Sequence, residues 1–194
     1  MITRAVAKTY DVAREFVGEE KDYDLPLTAS EDALRNRVAN LGTIGLVSLL
    51  SETAPALGRD GFSRVGSMTD DIKVDHQRFT SFVEAANNVM RIDEARESRL
   101  RGVDALTARR QAKLVAERRE RNNRLIRNGV RSARERSEQY REILMGLPVE
   151  YPDVPLEELQ IAYEAFHEDV VRFHAKIDQL AHMKLGASDK SSLK

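Results

Sequence analysis

Apolar residues recur along this chain at helical spacing, and the breaks in that spacing divide it into a few long segments. Ile2, Val6, Ala13, Phe16 and Val17 share one face of a first amphipathic helix over Thr3 to Gly18. Asp24-Leu25-Pro26 interrupts the pattern, and Thr28-Ala29-Ser30-Glu31 then has the spacing of a capping box at the start of a second helix. That helix carries Leu34, Val38, Leu41, Ile44, Val47 and Leu50. Val38 to Ser51 holds no charge at all, and Gly42 and Gly45 leave flat patches on it. Fourteen residues are too few to span a bilayer, so a buried core helix is expected, with contact to a membrane or another protein as the alternative. Pro55 ends the helix, and Leu57 to Ser67, with Gly58, Gly61 and Gly66, is expected to be a loop.

Ser67-Met68-Thr69-Asp70 reads as the next helix start, followed by an apolar stripe of Met68, Ile72, Phe79, Val83, Ala86 and Met90. No proline follows before Pro148. A helix unbroken from Met68 to Arg127 would reach about 90 Å at about 1.5 Å per residue, which predicts a rod or arm. Ile92, Val103, Leu114 and Leu125 fall at intervals of eleven, the repeat of a nearly straight helix packing. Between Ala116 and Arg124 no large apolar residue occurs, so hydrophobic packing cannot bury that part. Asn128-Gly129, followed by Ser132-Ala133-Arg134-Glu135, marks a kink or fold-back point; without one the helix runs on to about Met145.

Three prolines between Gly146 and Pro155 set a boundary. Beyond it Leu156, Tyr163, Val170 and Ile177 occupy one heptad position, and Leu159, Phe166, Phe173 and Leu180 the other. The seam of Leu159, Tyr163, Phe166, Val170, Phe173, Ile177 and Leu180 is expected to pack on another long helix, from the same chain or a neighbour. The pattern divides the chain into an N-terminal helical region (1–66), a central arm (67–145), a Pro-rich linker (146–155), the heptad helix (156–185) and a polar tail (186–194).

Composition agrees with an all-α, extended helical bundle: 32% of the residues are charged, 6% aromatic, and there is no Trp. The absence of Cys removes disulfides, thiolate zinc sites and a Cys nucleophile. The N-terminus shows no apolar leader segment, and no run is long and apolar enough to span a bilayer, so a place in the cytoplasm or inside a particle is expected.

Charge changes the picture more. From Arg91 to Arg141 there are sixteen Lys and Arg against eight Asp and Glu, about +8 in a chain whose formal net charge is -1. The basic arm proper is Arg109, Arg110, Lys113, Arg118, Arg119, Arg121, Arg124, Arg127, Arg131, Arg134 and Arg136, against three carboxylates. From Glu142 to Lys194 the balance reverses, ten acidic residues to five basic. Such segregation suits assembly, the basic arm of one subunit meeting the acidic C-terminal helix of another. It also suits phosphate contacts along nucleic acid, without base stacking, because no aromatic residue is interleaved in the arm.

Other candidate chemistry is sparse. Glu164 and His167 have the spacing of a di-iron ligand pair, but no second Glu-x-x-His accompanies them. His167 and His174 lie about 10.5 Å apart along the axis, too far to share a metal; with His182 they could form a pH-sensitive edge. No nucleophile triad, phosphate loop or His-Glu-x-x-His motif is present, so no enzyme, metal or cofactor is expected. The leading expectation is a non-enzymatic assembly protein, homo-oligomeric and joined to other subunits of a large particle such as a virion or secretion-like machine. The alternative is a nucleic-acid-binding helical module using the arginine-rich arm.

Overall fold

The computed structural model describes residues 26–53, 61–101 and 105–191. Four helices occupy them: α1 (Ala29–Thr53), α2 (Gly61–Leu100), α3 (Ala105–Glu150) and α4 (Glu157–Ser191). The protein is an all-α helical bundle, without a strand among the described residues. The helix expected over 3–18 lies outside them.

Contacts group the chain into two compact units: Met1–Pro55 with Gln77–Ser132, and Ala56–His76 with Ala133–Lys194. In the first unit α1, the later part of α2 and the earlier part of α3 pack together. Here α2 and α3 run antiparallel, since Asp93 meets Asn122 and Phe82 meets Gly129. The core stripe of α2 is Phe79, Phe82, Ala86 and Val89, all at most 1% exposed. Met90 and Val83, expected on that stripe, flank it half-buried. Leu34 and Val38 of α1 are buried, as are Leu125, Ile126 and Val130 of α3. The capping box forms as its spacing predicts: Thr28 N donates to Glu31 Oε2 at 2.8 Å, and Glu31 N to Thr28 Oγ1 at 3.4 Å. Of the uncharged stretch Val38 to Ser51, side chains beyond residue 42 lie outside the described residues. No helix among the described residues is long and apolar enough to cross a membrane.

The second unit joins the first turns of α2, the end of α3 and α4. Gly61 touching Val154, and His76 bonded to Asp169, make α2 parallel to α4; Tyr140 and Ser137 meeting Phe166 and His167 make α3 antiparallel to it. The heptad seam is the core of this unit. Leu159, Phe166, Val170 and Phe173 are at most 5% exposed, and Tyr163, Ile177 and Leu180 half-buried. Phe166 of the seam meets His76 of α2 and Tyr140 of α3, so this part of the seam packs within the chain.

Several boundaries differ from those read in the pattern, for identifiable reasons. The helix does not continue from Met68 to Arg127: α2 ends at Leu100, and a separate helix, antiparallel to it, begins at Ala105. The sequence signal there is Gly102, a residue that costs a helix interior about 1 kcal/mol. The eleven-residue repeat therefore straddles two helices, with Leu125 6% exposed and Leu114 44% exposed. Asn128-Gly129 ends nothing, because α3 runs straight through it. Gly129 serves packing instead: a Cβ there would lie 2.4 Å from Phe82 Cε2. Leu57 to Ser67 is helical from Gly61 onward, where a Cβ would meet the Tyr151 ring at 2.5 Å. Ser67 and Met68 thus fall inside α2. Pro148 lies in the last turn of α3, whose neighbour Leu147 is 1% exposed and accepts a hydrogen bond from Tyr151 N at 2.8 Å. Burial of Leu147 holds that turn although proline removes one donor from it.

Candidate functional site

The arginines of α3 separate by helical phase. Arg118 and Asn122 stand seven and three residues before Leu125, on the inward stripe that continues through Gly129, Ala133, Arg136 and Tyr140. The gap without apolar residues is thus a core stripe in which polar side chains replace leucines. They meet acids. Glu31, 1% exposed, takes Arg96 at 3.0 Å, Arg118 at 2.9 Å and Arg121 at 3.3 Å. Asn122 Nδ2 donates to Asp93 Oδ2 at 2.9 Å and to Glu31 Oε1 at 3.4 Å, and Arg96 reaches Asp93 at 3.0 Å. Burial alone would raise the carboxyl pKa of Glu31. The Thr28 backbone N–H, Arg96 and Asn122 outweigh it and hold the group down at about 2.

The second unit internalises Arg136 in the same manner. Its Nε donates to Asp75 Oδ2 at 3.0 Å, its guanidinium lies 4.5 Å from the Tyr140 ring centre, and Tyr140 Oη donates to Asp75 Oδ2 at 2.8 Å. Burial and the Asp75 charge push the Tyr140 phenol far above its ordinary value. Removing one member of such a buried cluster strands the others as uncompensated charges, so the cluster holds its helices together only while it is complete.

The other phase of α3 faces a groove of about 800 Å³ in the first unit, lined by Glu97, Ala116, Arg119, Glu120, Asn123, Arg124, Arg127, Asn128 and Arg131. Arg119 pairs with Glu97, and Arg131 Nη2 donates to Asn128 Oδ1 at 2.9 Å. Arg124 and Arg127 have no hydrogen-bond or ion-pair partner among the described residues. Of the remaining arm residues, Arg109 and Arg134 are exposed, Lys113 is exposed 3.8 Å from Glu117, and the Arg110 side chain lies outside the described residues. Among the described side chains the arm is therefore three sets of cations: half-buried Arg118 and Arg121 and buried Arg136 on carboxylates, Arg119, Arg124, Arg127 and Arg131 in one groove, and Arg109, Lys113 and Arg134 on the surface.

The histidines take ordinary partners. His167 Nδ1 lies 2.8 Å from the buried Ser137 Oγ and stacks on Tyr163, and His174 lies 3.6 Å from Asp178. His182 is outside the described side chains. Among the described residues no three His, Asp or Glu side chains gather as a metal site would require. Reasoning from sequence missed Glu31, Asp93 and Asp75 as internal anchors. Asp75 and Asp93 gave a signal, charged residues three or four places from Ile72, Phe79, Val89 and Met90 on the apolar stripe of α2.

Fold and site define a helical bundle with a cationic groove. Beyond that class, comparison with protein-family models, curated proteins and solved structures gives no match.

Proposed function

We propose that this protein is a non-enzymatic helical module that binds nucleic acid through the arginine groove of α3. One observation carries the reading: Arg124 and Arg127 line the groove without a carboxylate of their own, beside Arg119 and Arg131. Guanidinium groups match phosphate oxygens in a planar fork, and cations without internal partners are the ones available to a polyanion. Sequence-independent phosphate contact follows, with affinity falling steeply as salt rises.

Assembly is the second reading, favoured by the exposed Glu157, Glu158, Glu164 and Glu168 of α4, an acidic face suited to basic surfaces of other subunits. With Leu159, Phe166, Val170 and Phe173 of the seam buried inside the chain, such assembly would rest mainly on charge. Size-exclusion chromatography with light scattering at low and high salt, reading 260 and 280 nm absorbance, separates the two. With no Trp and five Tyr, bound nucleic acid dominates that ratio. A low-salt species rich in 260 nm absorbance that strips at high salt is expected. A discrete oligomer free of nucleic acid at both salts would replace the first reading by the second.

A further inference from the structure

We infer that the outer face of α4 in one copy of this chain docks into the arginine groove of α3 in another copy. The inference extends the assembly reading above and sets self-docking against nucleic acid for the same arginines. Helix α4 carries two stripes. The inner one is the seam of Leu159, Phe166, Val170 and Phe173, buried in its own unit. On the opposite side Glu157, Ile161, Glu164, Glu168, Val171 and Ala175 follow one another at alternating steps of four and three residues, and all six are exposed. That is heptad spacing, the pattern of a helix face that meets a second helix. Ile161 is 66% exposed and Val171 51%, so the face offers apolar area as well as charge.

The charge of the face says what covers it. Two α4 helices meeting through it would oppose glutamate to glutamate: Glu164 to Glu164 if parallel, Glu164 to Glu168 if antiparallel about the stripe's centre. A cationic stripe of the same spacing lies in the groove, where Glu120, Arg124, Arg127 and Arg131 follow at steps of four, three and four residues. With the two helices antiparallel, Arg131 faces Glu164, Arg127 faces Glu168, the apolar stem of Arg124 lies along Val171, and Glu120 stands at Ala175. A parallel arrangement with the same two ion pairs sets Glu120 against Glu157. Slipping the antiparallel pair by one heptad sets Glu120 against Glu168 in one sense, and in the other takes Arg127 and Arg131 away from both glutamates. One register therefore satisfies the charges. Groove and docking face are different surfaces of the chain, so the contact is heterologous, and each added copy brings a free groove and a free α4 face until a ring closes.

Paired charge reversals in the full chain, followed by light scattering in low salt, test this. Arg127→Glu with Arg131→Glu disables the groove and leaves the α4 face intact; Glu164→Arg with Glu168→Arg does the reverse. The parent should self-associate, and return to monomer in high salt. Each variant alone should be monomeric with an unchanged melting curve, since Arg127, Arg131, Glu164 and Glu168 are exposed. An equimolar mixture of the two should form a 1:1 dimer that cannot extend, and all four reversals in one chain should restore self-association. Because the chain has no cysteine, Glu120→Cys in one copy and Ala175→Cys in another should crosslink on oxidation. Crosslinking of Glu120→Cys to Glu157→Cys instead would overturn the antiparallel order. A monomeric parent in low salt, or a mixture that stays monomeric, would overturn the docking. So would an oligomer that survives either reversal, which would leave the assembly reading to another surface. Labelled oligo(dT), read by anisotropy, should break the parent oligomer as it takes the same arginines; an oligomer that binds it and persists would also overturn the docking. Absence of oligo(dT) binding to parent and variants alike would end the nucleic-acid reading and leave the docking standing.

Discussion

Glu31 offers the sharpest test of how the first unit is held together. Its carboxylate is 1% exposed, is held at about 2 against an ordinary 4.5, and receives Arg96, Arg118, Arg121 and Asn122. A group whose folded pKa is depressed contributes stability above its unfolded value and loses it as the pH falls through the folded one. The difference between 4.5 and about 2 corresponds to about 3 kcal/mol at neutral pH, lost between pH 4.5 and 2. Glu31→Gln is the informative change, because glutamine keeps the capping-box geometry with Thr28 while removing the charge. Urea unfolding followed by circular dichroism should find Glu31→Gln less stable by about 3 kcal/mol at pH 7, the scale expected when a buried ion pair loses one partner. The gap should close as the pH approaches 2. A variant within about 0.5 kcal/mol of the parent at pH 7, the range of an ordinary surface substitution, would refute the argument. So would a gap that persists unchanged to low pH.

Other substitutions probe the remaining contacts. Gly129→Ala should destabilise by about 1–3 kcal/mol despite alanine's better helix propensity, because its Cβ would press on the fully buried Phe82; a thermal melt with Phe82→Leu added should recover part of the loss. Phe166→Ala should cost about 3–5 kcal/mol in urea titration and leave the oligomeric state measured by light scattering unchanged, since the ring is 1% exposed within its own chain. Tyr140→Phe removes the donor to Asp75 Oδ2 and should cost about 1.5–3 kcal/mol by chemical denaturation, a loss that Asp75→Asn should exceed by stranding buried Arg136.

How much of this was legible in the sequence varies with the range of the physics involved. Local signals were readable: the helical class, the capping box at Thr28 and Glu31, the seam from Leu159 to Phe173 and the cationic excess of α3 each depend on residues a few positions apart. The glycines show where local reading stops. Gly102 and Gly129 carry the same helix-weakening propensity, yet α2 ends at Leu100, two residues before the first, while the second lies in an unbroken helix against Phe82, forty-seven residues earlier in the chain. The basic arm divides for the same reason. Composition counts Arg118 and Arg124 alike, but three-residue steps around a helix send them to different faces, and only the fold brings Glu31, eighty-seven residues away, under the first. Sequence alone determined that these segments are helices and that α3 is cationic. Tertiary packing decided which arginines sit on buried carboxylates and which face the groove, because a charge enters a low-dielectric interior only where a distant partner meets it.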